Sequence, residues 1–212
     1  MNNTVNVDRD FQIMEYLEDY GALVAGVDEV GRGCLCGSVV ACAVVLPYNQ
    51  AYLLEDMGVK DSKKLTAKQR LAMISLIQEV VTDWCIAEVD NSTIDSINIH
   101  QASLLAMSQA IKGLSVSPSL CLIDGKFSVP NLPYAQVSLV KGDARSSIIA
   151  SASILAKVDR DQKMIFYDNQ YPEYDWKNNK GYGTKKHLLA IQKYGVTPLH
   201  RLSFSPCQIG KN

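Results

Sequence analysis

The chain has 212 residues, 47% of them hydrophobic and 20% charged, with a formal net charge of −1; that suffices for one well-buried core and excludes a disordered or fibrous chain. No run of about 18 apolar residues occurs, and the acidic start around Asp8, Asp10, Glu15, Glu18 and Asp19 lacks the basic-then-apolar order of a secretion signal, so a soluble cytoplasmic protein is expected. The six cysteines form no C-x-x-C pair and the three histidines are dispersed, which argues against disulfides and a structural zinc centre.

Phe11, Met14 and Leu17 repeat at helical spacing through the acidic start and predict a short amphipathic helix. The apolar, β-branched runs Ala22–Asp28 and Ser38–Leu46, separated by the glycine-bearing turn Gly31–Gly37, read as a hairpin of buried strands. A helix is expected from about Thr66 to Val81, a strand over Trp84–Val89 and a long helix over Ile94–Leu114. Short strands follow at Leu120–Ile123 and Gln136–Val140, then helices over Ser146–Tyr167 and Thr184–Tyr194. Strands alternating with helices imply an α/β architecture, a mixed sheet flanked by helices with a small helical C-terminal appendage. No repeat or linker divides it, so residues 1–212 are read as one domain.

Charge is unevenly placed. From Trp176 to the end there is no acidic residue, while Lys177, Lys180, Lys185, Lys186, Lys193, Arg201 and Lys211 contribute +7. The preceding residues hold all 22 acids and 14 basic groups, a balance of −8. The basic segment, about 176–212, could bind a polyanion or be a solvated face.

Three strand-like runs each end in acid: Val24–Val27 in Asp28-Glu29, Leu120–Ile123 in Asp124, and Val137–Val140 in Lys141-Gly142-Asp143. Ends of strands in open α/β sheets form the ligand crevice. Carboxylates brought together there repel one another and need a cation, and an all-oxygen set suits Mg²⁺ or Mn²⁺. Two such ions are the arrangement for in-line displacement at phosphorus. Because neighbouring strand residues point to opposite faces, Asp28 and Glu29 would share a site only if the backbone turned between or just after them. Spacing alone leaves open that these acids cap helices or lie in solvent.

The block Gly26-Val27-Asp28-Glu29-Val30-Gly31-Arg32-Gly33, followed by Gly37-Ser38-Val39-Val40-Ala41, resembles the opening of ribonuclease HII. Further blocks resemble that family in order: Asp61–Leu65, Asn98-Ile99, Leu122–Gly125, Lys141–Asp143, Ala152–Val158, Gly181–Thr184 and His200–Phe204. The resemblance implies a ribonuclease H-like fold in which Asp28, Glu29, Asp124 and Asp143 match four catalytic, metal-binding carboxylates for two Mg²⁺ or Mn²⁺ ions. It implies an endoribonuclease, active on RNA/DNA hybrids and on duplex DNA containing ribonucleotides, that leaves 3′-hydroxyl and 5′-phosphate ends and serves DNA replication and repair. Gly31, Arg32 and Gly33 match the loop that reads the 2′-hydroxyl, and Tyr182 matches a tyrosine that packs on the sugar beside the scissile phosphate and senses the RNA-to-DNA junction. Arg32, Lys63, Lys64 and Asn98 look like further substrate contacts, whereas His200 and Arg201 read as structural.

Gly-Arg-Gly favours ribonuclease HII over HIII. Cys34, Cys36 and Ser38 stand where the family commonly has Pro, Ala or Pro, which leaves the loop less constrained. A monomer is expected. A DNA-directed nuclease or a non-catalytic binding module are the rival readings, although a mere binder gains nothing from concentrated negative charge beside a polyanion.

Overall fold

The computed structural model describes residues 22–59 and 66–208. The helix expected around Phe11–Leu17, the substrate candidates Lys63 and Lys64, and Lys211 lie outside them.

Among the described residues five strands form one mixed sheet in the order β3-β2-β1-β4-β5: β1 Leu23–Val30, β2 Val39–Pro47, β3 Asp83–Val89, β4 Leu120–Asp124 and β5 Ala135–Leu139. β2 runs antiparallel to β1 and β3, while β4 runs parallel to β1 and β5. Among the described residues the α-helices are α1 Ala51–Asp56, α2 Ala67–Val80, α3 Asn91–Lys112, α4 Ser147–Asp168, α5 Trp176–Asn179 and α6 Lys185–Tyr194. The short helix α1 was not expected from the sequence, and α3 begins earlier than its apolar periodicity suggests because Asp90 caps it, accepting from the Thr93 amide at 2.7 Å.

β2 reads as an unbroken apolar run because both faces of the sheet are covered. Val40, Cys42, Val44 and Leu46 belong to the core under α4, with Ile148, Ala152 and Leu155. Val39, Ala41, Ala43 and Val45 belong to the opposite core under α3, with Ala102, Ala106 and Ala110. Small residues on both helices let their backbones approach the sheet closely. At Gly26 the approach is closest: an added Cβ would lie 2.5 Å from the backbone of Ile148 and Ile149. Backbone atoms cannot swing aside as a flexible side chain can, so Gly26→Ala is expected to destabilise the fold by about 1–3 kcal/mol, read as a lowered Tm; an unchanged Tm would mean that α4 can shift freely on the sheet.

The C-terminal appendage has its own small core. Tyr174 and Trp176 join Ala190, Ile191 and Cys207 against Leu35, Cys36 and Met164. The connection between β1 and β2 is therefore no tight hairpin turn. It is drawn out and pinned to the appendage through two isolated bridges, Cys34 to Tyr182 and Cys36 to His200.

Candidate active site

The parallel register delivers the first two carboxylates. The β1–β4 ladder ends with Val27 opposite Ile123, so the next position on each strand is an acid, Asp28 and Asp124. Glu29 completes the group: one carboxylate oxygen from each of Asp28, Glu29 and Asp124 lies within 4.8 Å of the others. No turn separates Asp28 from Glu29, since β1 continues to Val30. Instead the Asp28 carboxylate leans along the strand and accepts the Glu29 amide at 2.7 Å. Asp124 is held from the other side by the Gly142 amide, 2.6 Å from Oδ1.

Asp143 lies outside this set of three. It is buried in the 3₁₀ turn Gly142–Ala144, after Lys141 reverses the chain with a left-handed φ of 55°. The site is thus three gathered carboxylates with a fourth carried on the turn whose amide holds Asp124.

Burial first, then the charges of Glu29 and Asp124, hold the Asp28 carboxyl well above the usual carboxylate range, against the lowering effects of the Ser153 hydroxyl and the Glu29 amide. Burial also raises Glu29, opposed mainly by the Arg32 guanidinium, which lies 3.0 Å from Glu29 Oε1. The other oxygen, Oε2, is buried without a hydrogen-bond partner among the described residues. Buried polar atoms are normally satisfied. An orphaned carboxylate oxygen beside two further acids fits a hard divalent cation, whose charge would offset the repulsion.

Arg32 is half exposed beside the acids. Gly31 has φ +91°, and a Cβ there would lie 2.2 Å from Arg160 Nε. The resemblance places this glycine in the loop that reads the 2′-hydroxyl; the structure adds a reason for it from beneath the loop. A Cβ on Gly33 would stand 3.8 Å from the ring of Tyr182, and Tyr182 is 43% exposed. The loop and the tyrosine therefore adjoin, each with a face toward solvent.

Two buried arginines support this loop. Arg160, which the sequence reading did not single out, donates to the carbonyls of Ser38, Lys180 and Cys36 at 3.2, 2.7 and 3.1 Å. Arg201 donates to Gly37 and Arg32 at 3.0 Å each, in keeping with the structural role expected for it. A cleft at Glu29, Arg32 and Asp124 is lined also by His100, Ser103, Lys126 and Phe127, which nothing in the sequence pattern singled out. Asn98 is exposed and interrupts α3 with φ 68°, its side chain accepting the amides of His100 and Gln101; as placed, its oxygen caps the helix segment that carries His100.

In space the basic segment is less one-sided than in sequence. Lys177 pairs with Asp168 at 3.7 Å and Lys186 with Asp175 at 3.1 Å, and Arg201 is fully buried. Lys185 and Lys193 remain exposed on α6.

The sequence profile described as Ribonuclease HII matches residues 25–207. The chain belongs to the ribonuclease HII family. Members are metal-dependent ribonucleases that cleave the RNA of RNA/DNA hybrids. Ribonuclease HII of Trichormus variabilis is 52% identical over 187 residues, 88% of this chain and 83% of the relative. That of Endomicrobium trichonymphae is 46% identical over 207 residues, 97% and 93% of the two chains. The crystal structure of ribonuclease H2 from Pyrococcus horikoshii OT3 superposes with a TM-score of 0.77 at 26% identity, covering 88% of this chain and 95% of that one. Bst-RNase HIII in complex with Mn²⁺ shares the fold, with a TM-score of 0.70 at 18% identity over 89% of this chain and 68% of that one. Among the described residues no helix is long and apolar enough to cross a membrane.

Proposed function

We propose that this ribonuclease HII family member is a single-domain, monomeric, cytoplasmic endoribonuclease that hydrolyses the RNA strand of RNA/DNA hybrids and also incises at ribonucleotides embedded in duplex DNA, in the service of DNA replication and repair. The observation that carries it is the meeting of Asp28, Glu29 and Asp124 within 4.8 Å beside a glycine loop and a half-exposed tyrosine. Asp28, Glu29 and Asp124 would hold Mg²⁺ or Mn²⁺, with Asp143 as the fourth carboxylate. When bound, two such ions supply an activated water and charge neutralisation at the phosphate and leaving oxygen. The Gly142 amide fixes Asp124, and the Glu29 amide fixes Asp28, so neither carboxylate has to reorganise during the reaction. Gly31, Arg32 and Gly33 read the 2′-hydroxyl, and Tyr182 packs on the adjoining sugar. Arg32, Lys63, Lys64 and Asn98 contact the substrate, while exposed lysines of α6 draw the duplex in by charge.

Cleavage of an end-labelled RNA/DNA hybrid with Mg²⁺, Mn²⁺ or chelator tests this reading. Metal-dependent products ending in 3′-hydroxyl and 5′-phosphate are expected. Metal-independent cleavage, or products ending in a cyclic phosphate, would reject it.

The raised carboxyls make a further expectation. Their folded-state pKa values lie above the unfolded ones, so the stability they contribute is fully present below the unfolded carboxylate range and is lost as pH rises through the folded values. A bound cation restores it. At about a hundredfold excess over Kd, Mn²⁺ should raise Tm at pH 7.5 by about 5–10 °C, and by clearly less at pH 5, where protons compete; equal shifts at both pH values would exclude these carboxylates as the ligands.

A further inference from the structure

Two buried histidines lie outside the carboxylate cluster and take no part in the proposed reaction. His187 stands on α6 and His200 follows it in the appendage, at 0% and 1% exposure. Their Nε2 atoms are 3.2 Å apart, so one nitrogen must donate and the other accept. The surroundings decide which. The Thr197 amide donates to His200 Nδ1 at 2.8 Å, and the Thr197 hydroxyl lies 2.9 Å from the same nitrogen. His200 therefore carries its proton on Nε2. Trp176 donates from Nε1 to His187 Nε2 at 3.1 Å, so that atom is an acceptor, its single lone pair shared between Trp176 and His200. The proton of His187 is then on Nδ1, 2.9 Å from the carbonyl of Tyr182.

Every donor meets an acceptor along this line: Thr197 to His200, His200 to His187, His187 to Tyr182. Burial lowers both rings, His200 to about 4, so both are neutral near pH 7. The rings of Tyr174 and Trp176 wall in His200, with centroids 5.1 and 5.6 Å away. The backbone of His200 meanwhile pairs with Cys36 of the glycine loop, and the next residue, Arg201, donates its amide to Leu35 and its guanidinium to Arg32 and Gly37. His200 thus reaches the loop directly through its backbone, and the Tyr182 carbonyl only through the ring of His187.

We propose that His187 and His200, as a neutral pair in opposite tautomers, are positioning residues that fix Tyr182 against the Gly31–Gly37 loop and so set discrimination at the ribonucleotide. This rests on the recognition role proposed above for Tyr182 and the loop. A displacement of about 1 Å at a substrate-positioning group can cost up to about a hundredfold in rate, so a pair acting through Tyr182 has a measurable effect without touching substrate.

The first test is the ¹⁵N–¹H correlation spectrum of the full chain labelled at histidine, at pH 7. The expected result is an Nδ1–H tautomer for His187 and an Nε2–H tautomer for His200; the same tautomer on both, or a protonated ring, overturns the pair. The second is a double-mutant cycle between His200→Gln and Tyr182→Ala, measured on duplex DNA with one ribonucleotide and on a continuous hybrid. His200→Gln should lower kcat/KM at the single ribonucleotide by about tenfold and the continuous hybrid less, and its effect should vanish in the Tyr182→Ala background. An equal loss in both backgrounds would overturn the coupling to Tyr182. If the unmodified protein cleaves neither substrate, the proposed function fails instead, and the tautomer measurement still decides the pair.

Discussion

Asp124→Asn is expected to reduce cleavage by at least about a thousandfold while leaving hybrid binding largely intact. On the proposed reading Asp124 holds a metal ion, and loss of its charge removes about 4 kcal/mol or more of transition-state stabilisation. The substitution is gentle on the fold, because the Asn oxygen can still accept the Gly142 amide that now lies 2.6 Å from Asp124 Oδ1. Removing one of three crowded negative charges relieves repulsion, so the metal-free variant should melt no lower than the parent. The metal-induced rise in Tm should shrink with the activity. Cleavage within tenfold of the parent would sink the assignment of this carboxylate, and a large fall in the metal-free Tm would show that activity was lost through unfolding.

Arg160→Met is expected to be the most damaging substitution away from the acids. It leaves the carbonyls of Ser38, Lys180 and Cys36 without the donors that Arg160 supplies. Unsatisfied buried acceptors cost about 1–3 kcal/mol each, and relaxation recovers part, so a total of about 3–5 kcal/mol is expected. For a chain of this length that corresponds to roughly 10 °C in Tm. Cleavage should fall too, since the same three bonds tie the glycine loop to α4 and to the segment before Tyr182. Arg160→Lys keeps the charge and loses the planar fork, so it should recover only part of either loss. Thermal melting of both variants checks this; an Arg160→Met protein that melts within a degree or two of the parent would contradict it.

The sheet was legible because its central strands are covered on both faces and so read as unbroken apolar runs, and Asp28, Glu29 and Asp124, which the structure gathers, stood at the ends of two of those runs; Asp143, separated from its own run by Lys141 and Gly142, lies outside the gathered set. What strand alternation could not show is how neighbours on β1 share one site. The Asp28 side chain bends along the strand to its own successor's amide, a local hydrogen bond that the alternation rule does not contain. Arg160 was missed for another reason: within Lys157–Asp161 it reads as one more surface charge. Yet it stands at four-residue spacing with Ala152, Ala156 and Met164, all buried on α4, and a cation inside an apolar stripe was the available signal. The basic segment misled in the opposite direction, since a boundary drawn in sequence at Trp176 separates Lys177 and Lys186 from Asp168 and Asp175, their partners in space. The two histidines, 13 residues apart, meet only because the appendage folds back on the glycine loop.

The most direct measurement is incision of a labelled DNA duplex carrying one ribonucleotide, beside an all-DNA control and a continuous RNA/DNA hybrid, with Mg²⁺ or Mn²⁺. Metal-dependent cutting on the 5′ side of the lone ribonucleotide, with the all-DNA duplex intact, is the predicted result. Cutting of the all-DNA duplex, or of the continuous hybrid alone, would contradict the account of the Gly31–Gly33 loop and Tyr182 as the parts that read a single 2′-hydroxyl.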